Sequence, residues 1–188
     1  SITIKSLDLF EDSLIREDDK DDIEDYDLYL IAAGSLGEPL LARDNYNYAL
    51  KIIASNFTGH IKWLTKIVTN ERIKKNSRLW VLSSVAADRG RPSNYHYGSS
   101  KSGLNLFCEG LLLRCHNKPF SIRLLKLGFV STKMSIGKGP KILFSDPEWI
   151  AKEIIRKPNK RGIEYLPGWW KFIMILVRLM PNAIISKL

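Results

Sequence analysis

Two hydrophobic patterns alternate along the chain. One is typical of strands and the other of helices. Short aliphatic runs of strand length occupy residues 28–32, 78–83, 120–126 and 162–166. Apolar positions with helical spacing occupy residues 44–73, 99–114 and 147–156. Strands that alternate with helices form parallel sheets with helices packed on their faces. The sequence therefore predicts a single α/β domain over residues 1–188.

A serine, a tyrosine and a lysine lie near each other between the second of these strands and the helix that follows it. Ser84 directly follows the strand, Tyr97 comes thirteen residues later, and Lys101 lies one helical turn beyond Tyr97. Tyr97 and Lys101 are expected on one helix face, close to the carboxyl end of the strand, where ligands bind in parallel α/β sheets. A phenol is a poor acid unless a nearby cation lowers its pKa. The three residues are therefore suited to protonating a carbonyl oxygen during its reduction.

These residues resemble the catalytic serine, tyrosine and lysine of the short-chain dehydrogenase/reductase family, whose fold is a Rossmann-like, doubly wound parallel sheet with helices on both faces. The resemblance implies hydride transfer from NAD or NADP, with the choice of cofactor left open. It assigns proton donation to Tyr97 and a second hydrogen bond on the same oxygen to Ser84. Lys101 is expected to lower the pKa of the phenol and to hold the nicotinamide ribose.

The helical asparagine of the family corresponds to Asn56, which would carry a water molecule between Lys101 and solvent. The alternative is that Asn56 only bends or pins its helix, as an asparagine inside a helix can. Its separation of 28 residues from Ser84 favours the functional role.

Two further segments match the family's cofactor contacts, each with substitutions. Residues 30–34 (LIAAG) stand where the family has an Asn-Asn-Ala-Gly turn, so both asparagines are absent. Residues 127–132 (LGFVST) stand where it has Pro-Gly and then a threonine, so a leucine replaces the proline. The cofactor contacts that the resemblance implies here are Ala33, Gly34, Gly128, Val130 and Thr132, together with Tyr97 and Lys101.

The amino end departs most from the family. Its members open with a strand, a glycine-rich turn and a helix whose amides bind the cofactor pyrophosphate, and no such segment occurs in this sequence. Residues 2–7 resemble the third strand, with Asp8 and Leu9 where the family contacts the adenine. The first two strands, about 60 residues, are therefore expected to be missing, and the chain alone is expected to bind dinucleotide poorly. The alternative to an enzyme is a truncated, non-catalytic relative of the family that acts in oligomerisation or membrane docking.

Residues 83–98 (SSVAADRGRPSNYHYG) resemble a bacterial subgroup, the decaprenylphosphoryl-2-keto-ribose reductases. This resemblance implies a substrate in which a 2-keto pentose is carried on a polyprenyl phosphate, and hence a role in cell wall biosynthesis. Tyr95 is a rival phenol in this segment, but it has no lysine four residues later and is expected to line the pocket. His96 is expected to be a surface or loop histidine.

The net charge of +9 is divided unevenly along the chain. Eleven acids and three bases lie in residues 1–27, whereas 26 bases and nine acids follow. The basic part suits cofactor phosphates or anionic lipid. Nucleic acid is discounted because no nucleic-acid-binding motif accompanies the bases, and the acidic run gives no reason to predict a metal site.

Cys108 and Cys115 are expected to be buried free thiols in a reducing compartment, which favours the cytoplasm.

The carboxyl-terminal part, residues 168–188, contains an apolar helix with tryptophans and bases beside it. Its apolar stretch, residues 169–180, is too short to span a bilayer. It is either a buried helix that closes the substrate pocket or an oligomer interface, or a helix lying in a membrane surface with Lys171, Arg178 and Lys187 near anionic lipid. A polyprenyl substrate favours the second alternative, at the inner face of the plasma membrane. The resemblance also implies a homo-oligomer formed through the helices around Asn56 and Gly103.

Overall fold

The computed structural model describes residues 25–70 and 73–187. In chain order the strands are β1 (Leu28–Ile31), β2 (Arg78–Ser84), β3 (Ser121–Leu127), β4 (Phe129–Val130), β5 (Phe144–Ser145) and β6 (Gly162–Leu166). A four-stranded parallel sheet has the order β1-β2-β3-β6, and β4 pairs separately with β5. The predicted α/β fold with a parallel sheet is confirmed. The predicted strand at residues 2–7, with Asp8 and Leu9, lies outside the described residues.

The helices cover both faces of the four-stranded sheet. They are α1 (Pro39–Asp44), α2 (Tyr46–Ile53), α3 (Gly59–Thr69), α4 (Tyr95–Arg114), α5 (Pro147–Arg156), α6 (Trp170–Leu179) and α7 (Asn182–Ile185). One face of the sheet packs against α3 and α4, in a cluster that includes Leu64, Val81 and Leu104. The other face packs against α5 through Trp80 and Leu125. Alternate strand residues therefore supply two cores, and each fully buried aliphatic side chain contributes about 1.5–3 kcal/mol.

The predicted boundaries agree closely for the strands and for α5. α5 and β6 match their predicted ranges, β1 and β2 differ by one residue at one end, and β3 is shifted by one residue at both ends. Asp146 accepts a hydrogen bond from the amide of Trp149 at 2.9 Å and so caps α5. The predicted start of α4 at residue 99 is wrong by four residues, because α4 begins at Tyr95 with the amide of Gly98 donating to Asn94 at 2.8 Å. Tyr97 therefore lies within the first turn of this helix.

The prediction of a single helix over residues 44–73 is wrong in two respects: the helix is interrupted, and it ends before residue 73. A π-helical turn, Ala54–Thr58, separates α2 from α3, and α3 ends at Thr69. The side-chain amide of Asn56 donates to the carbonyl oxygen of Ile52 at 2.7 Å, which competes with the regular α-helical bond to that oxygen. A π turn is common at functional positions in helices, and here it is centred on the predicted site residue Asn56.

Candidate active site

Ser84 and Tyr97 are brought together by the segment that connects β2 to α4. Ser84 ends β2 and is followed by a 3-10 turn, Val85–Asp88, whose Ala86 amide donates to Ser84 Oγ at 3.1 Å. A Cβ atom at Gly98 would lie 3.1 Å from the Ala86 carbonyl oxygen, so the absence of a side chain lets α4 begin directly against this turn. As a result the Ser84 hydroxyl lies close enough to the Tyr97 phenol to lower its pKa.

The electrostatics of the phenol differ from the prediction. Burial raises the pKa of Tyr97, and the hydrogen bond with Ser84 acts in the opposite direction. Lys101 is not among the causes of the shift, so the expected lowering of the phenol pKa by this cation is not seen. Burial has the larger effect, because an apolar environment disfavours the charged phenolate. Lys101 Nζ lies 6.0 Å from the centroid of the Tyr97 ring, so the two predicted residues do share one helix face.

Lys101 is a buried amine that has no carboxylate partner within residues 25–70 and 73–187. Its Nζ donates to the carbonyl oxygen of Leu82 at 3.4 Å, and none of the salt bridges among the described residues includes it. Burial lowers the pKa of Lys101 to about 8. An amine with a pKa near neutrality can both bind a polar ligand and exchange a proton.

Asn56 joins the π turn to the loop that follows β1. Its Nδ2 donates to the carbonyl oxygen of Ser35 at 2.6 Å, and its Oδ1 accepts from the Ser35 amide at 3.2 Å. Gly34 lies directly over this contact, because a Cβ atom there would be 2.8 Å from Asn56 Oδ1 and 3.3 Å from Lys101 Nζ. The predicted residues Gly34, Asn56 and Lys101 therefore meet, and a Cβ atom at position 34 would displace the Asn56 side chain.

His60 belongs to the same cluster and was not predicted from the sequence. It is buried on α3, one turn after Asn56, and its Nε2 lies 3.0 Å from the carbonyl oxygen of Ala33. Burial and the nearby Lys101 lower its pKa to about 4, so the imidazole is neutral at pH 7 and Nε2 is the donor. The four-residue spacing from Asn56 was the available sequence signal, since it places both side chains on one helix face.

The remaining predicted cofactor residues lie after β3. A Cβ atom at Gly128 would be 1.7 Å from Nε1 of Trp170, so this glycine is required by the close approach of α6. Val130 is half-buried, whereas Thr132 is exposed and its Oγ1 lies 3.1 Å from Ser135 Oγ. No hydrogen bond within the described parts of the chain joins Thr132 to Tyr97 or Lys101. Tyr95, predicted to line the pocket, is exposed at the start of α4.

The cluster fits a dinucleotide in its donor set. The unpaired amine of Lys101 and the phenol of Tyr97 can hydrogen-bond the hydroxyls of a ribose. The exposed backbone at Ala33 lies at the end of β1, where a cofactor approaches an open parallel sheet.

The parallel sheet with helices on both faces has a Rossmann-like architecture, and Ser84, Tyr97 and Lys101 lie at its carboxyl edge. A sequence model described as short chain dehydrogenase matches residues 23–142. An uncharacterized oxidoreductase of Mycobacterium tuberculosis is 30% identical over 156 residues, which cover 82% of this chain and 63% of that protein. The chain belongs to the short-chain dehydrogenase family, and it spans about 63% of the length of this curated relative.

Solved structures support the fold. A 3-oxoacyl-[acyl-carrier protein] reductase from Brucella melitensis in complex with NAD is similar with a TM-score of 0.52 and 20% identity, over 74% of this chain and 55% of that chain. A short chain dehydrogenase from Burkholderia cenocepacia in complex with NADP is similar with a TM-score of 0.61 and 15% identity, over 82% of this chain and 69% of that chain. At these identities the likeness extends to the fold.

Proposed function

We propose that the protein is an NAD(P)-dependent oxidoreductase that interconverts a carbonyl and an alcohol. The observation that carries this proposal is the convergence of β2, α4 and the π turn on one cluster, in which Tyr97 lies beside Ser84 and its ring centroid is 6.0 Å from Lys101 Nζ. Family membership supports the reaction class, and structural neighbours with bound NAD or NADP support the cofactor class. Either nicotinamide cofactor is compatible with the proposal.

The bound cofactor supplies a hydride to the carbonyl carbon. In the proposed reaction Tyr97 gives its proton to the carbonyl oxygen, and Ser84 donates a second hydrogen bond to that oxygen. Ser84 Oγ accepts the Ala86 amide, which orients the hydroxyl for donation. Lys101 holds the ribose hydroxyls and, with its pKa lowered to about 8 by burial, is suited to returning a proton to the phenolate.

Asn56 has a modified role in this proposal. The Nδ2 of Asn56 donates to Ser35 and Ile52, and its Oδ1 accepts from Ser35. The predicted water between Lys101 and solvent would therefore be held by a backbone carbonyl of the π turn. A helix that returns from π to α register leaves one carbonyl oxygen without a helical amide, and such an oxygen can accept a water hydrogen.

The substitution Tyr97→Phe tests the reaction. It removes the proton donor and leaves the ring, so the rate of NADH or NADPH oxidation with a carbonyl substrate is expected to fall by about 100-fold or more. The exposed Tyr95→Phe is the matched control and is expected to keep the rate. Full activity in Tyr97→Phe would overturn the assignment. Titration calorimetry of the 188-residue chain with each nucleotide measures cofactor binding separately.

We further propose that the substrate is a lipid-linked keto sugar and that α6 meets it at an anionic lipid surface. The inner face of α6 packs into the protein through Trp170 and Met174. On the outer face, Phe172 and Leu179 are 70% and 77% exposed, and Lys171 adds an exposed positive charge. The two alternatives from the sequence therefore correspond to two different faces of α6. The inner face fits the buried helix, and the outer face fits the helix lying in a membrane surface. An apolar stripe beside basic residues has the chemistry of a helix lying in an anionic lipid surface.

Flotation with vesicles tests the lipid contact. Binding to vesicles that contain phosphatidylglycerol is expected, and the triple substitution Phe172→Ser, Leu176→Ser and Leu179→Ser is expected to abolish it. Ile155→Ser is the control, because Ile155 is 65% exposed on α5 and lies outside both proposed surfaces. Equal flotation of the wild type and the triple variant contradicts the proposal. Retained flotation together with no nucleotide binding supports the non-catalytic alternative. None of the helices in the described part of the chain is long and apolar enough to cross a bilayer.

A second copy of the chain is the partner proposed for α4. Leu106 and Leu113 are exposed on this helix, and paired helices can bury such side chains between two subunits. Sedimentation of the wild type and Leu106→Asp tests this contact. A lower mass for the variant supports the homo-oligomer, and a monomeric wild type excludes it.

A further inference from the structure

Asp88 ends the 3-10 turn that follows Ser84, and its side chain is 1% exposed. Lys126 Nζ donates to its Oδ1 at 2.9 Å, and the Tyr165 hydroxyl donates to its Oδ2 at 2.6 Å. Arg178 adds a longer contact to Oδ1 at 3.4 Å, and its Nε donates to the Asp88 carbonyl oxygen at 3.2 Å. One carboxylate is therefore bound by side chains from β3, β6 and α6.

The next residue extends the connection to the carboxyl-terminal segment. Arg89 donates to the carbonyl oxygen of Met180 at 3.4 Å and to Oδ1 of Asn182 at 2.6 Å. These contacts join positions separated by 91 and 93 residues in the sequence. The turn after Ser84 is thus attached on one side to α6 and to the residues that follow it.

The opposite side of the same turn faces the candidate active site. The Ala86 amide donates to Ser84 Oγ, and the Ala86 carbonyl oxygen lies against Gly98, next to Tyr97. A shift of the turn would therefore change the position of Ser84 and the packing at the first turn of α4. The contacts of Asp88 are the polar restraints that oppose such a shift from the far side.

The geometry points to Asp88 as a positioning residue: its carboxylate holds the turn after Ser84 in place, and so makes the Ser84–Tyr97 pair depend on α6. This inference rests on the proposed function only in its assignment of Ser84 and Tyr97 to the reaction. A buried carboxylate is costly to desolvate, and apolar residues of similar size would serve packing alone at least as well. Directional bonds to three separate elements instead fix one orientation of the turn.

Amide hydrogen exchange of Asp88→Asn and Tyr165→Phe tests the inference. Both variants are expected to speed exchange over residues 85–94 by about tenfold, the loss of one charge-assisted hydrogen bond, with the centre of β2 unchanged. Tyr165→Phe changes no residue of the turn and removes one hydroxyl, so it decides the result if Asp88→Asn does not fold. Matched controls are Asp44→Asn, in a surface ion pair, and Tyr46→Phe on exposed α2.

Titration of the Tyr97 phenol, followed by the NMR signal of its ring carbon, gives a second readout whose direction separates the two causes. Ser84 lowers the pKa of Tyr97, so moving Ser84 away is expected to shift the titration to higher pH in both variants. Burial raises the same pKa, so loss of packing alone would shift the titration to lower pH, which would contradict the positioning role. Unchanged exchange and titration, or exchange that rises equally over the whole chain, would overturn the inference. Neither measurement requires cofactor or turnover, so its failure is distinct from failure of the proposed function.

Discussion

The regions around Lys101 and Lys126 show two ways of burying a lysine in one protein. Lys101 is 4% exposed and Lys126 is 5% exposed. Lys126 Nζ lies 2.9 Å from the carboxylate of Asp88, whereas Lys101 Nζ is bound only to a neutral carbonyl oxygen at 3.4 Å among the described residues. An unpaired buried charge reduces stability, and proteins keep such groups mainly at functional positions. The comparison separates a lysine that holds the structure from one that is available to a ligand.

The largest effect on stability is expected from Lys126→Met. This change leaves the Asp88 carboxylate in place without its ammonium partner, and Tyr165 and Arg178 replace only part of the interaction. The free energy of unfolding is expected to fall by about 3 kcal/mol, the lower end for breaking a buried ion pair. Denaturant unfolding at pH 7 measures it.

Two further variants are compared with Lys126→Met. Lys101→Met removes the other buried lysine, and Lys152→Met is a surface control. Lys101→Met removes an unpaired charge, so its free energy of unfolding is expected to equal or exceed that of the wild type. Lys152 lies in an exposed pair with Glu148, and its substitution is expected to change stability by less than about 0.5 kcal/mol. Equal losses in Lys126→Met and Lys101→Met would contradict the distinction between the two regions.

The sequence predicted the Lys101 region better than the Lys126 region, and the reason is the range of the contacts. Ser84, Tyr97 and Lys101 lie on a strand, a turn and a helix that are consecutive in the chain, so spacing alone brings them together. Asp88 meets Tyr165 and Arg178 across 77 and 90 residues. No local pattern reports such contacts before the sheet order is known.

Other differences from the prediction also have local physical causes. The π turn depends on how one side chain, Asn56, competes for the Ile52 carbonyl, and hydrophobic spacing does not record that competition. α6 is apolar around most of its circumference, so its pattern could not indicate which face packs against the protein. By contrast, β6 and α5 have clear turn and cap residues at their ends, and their limits were predicted correctly.

The next largest effect, about 2 kcal/mol, is expected in how the free energy of unfolding depends on pH. Burial lowers the folded-state pKa of Lys101 to about 8 from its usual value of 10.5, so the unfolded chain binds more protons between these two values. The wild type should therefore gain stability as the pH rises from 7 to 9.5, by roughly 2 kcal/mol, at 1.36 kcal/mol per pKa unit.

Lys101→Met isolates this contribution, because it lacks the titrating amine and keeps the other ionisable groups. The difference in unfolding free energy between this variant and the wild type is expected to shrink over the same range. Denaturant unfolding of both proteins at pH 7.0, 8.0, 9.0 and 9.5 gives the curve. A constant difference would mean that the amine of Lys101 is paired or solvated, and the contrast with Lys126 would be lost.

A smaller effect than at either buried lysine is expected at Gly34, where the Lys101 region has no spare space. The added Cβ atom of Gly34→Ala would lie 2.8 Å from Asn56 Oδ1, so the asparagine must move and its bond with the Ser35 amide must lengthen. A loss of about 1 kcal/mol is expected, with faster exchange of the Ser35 amide. Gly90→Ala is the control, because nothing lies within 4 Å of its Cβ position. If Gly34→Ala behaves like Gly90→Ala, the loop after β1 is not held by Asn56, and the close packing beside the unpaired lysine is not a restraint on the site.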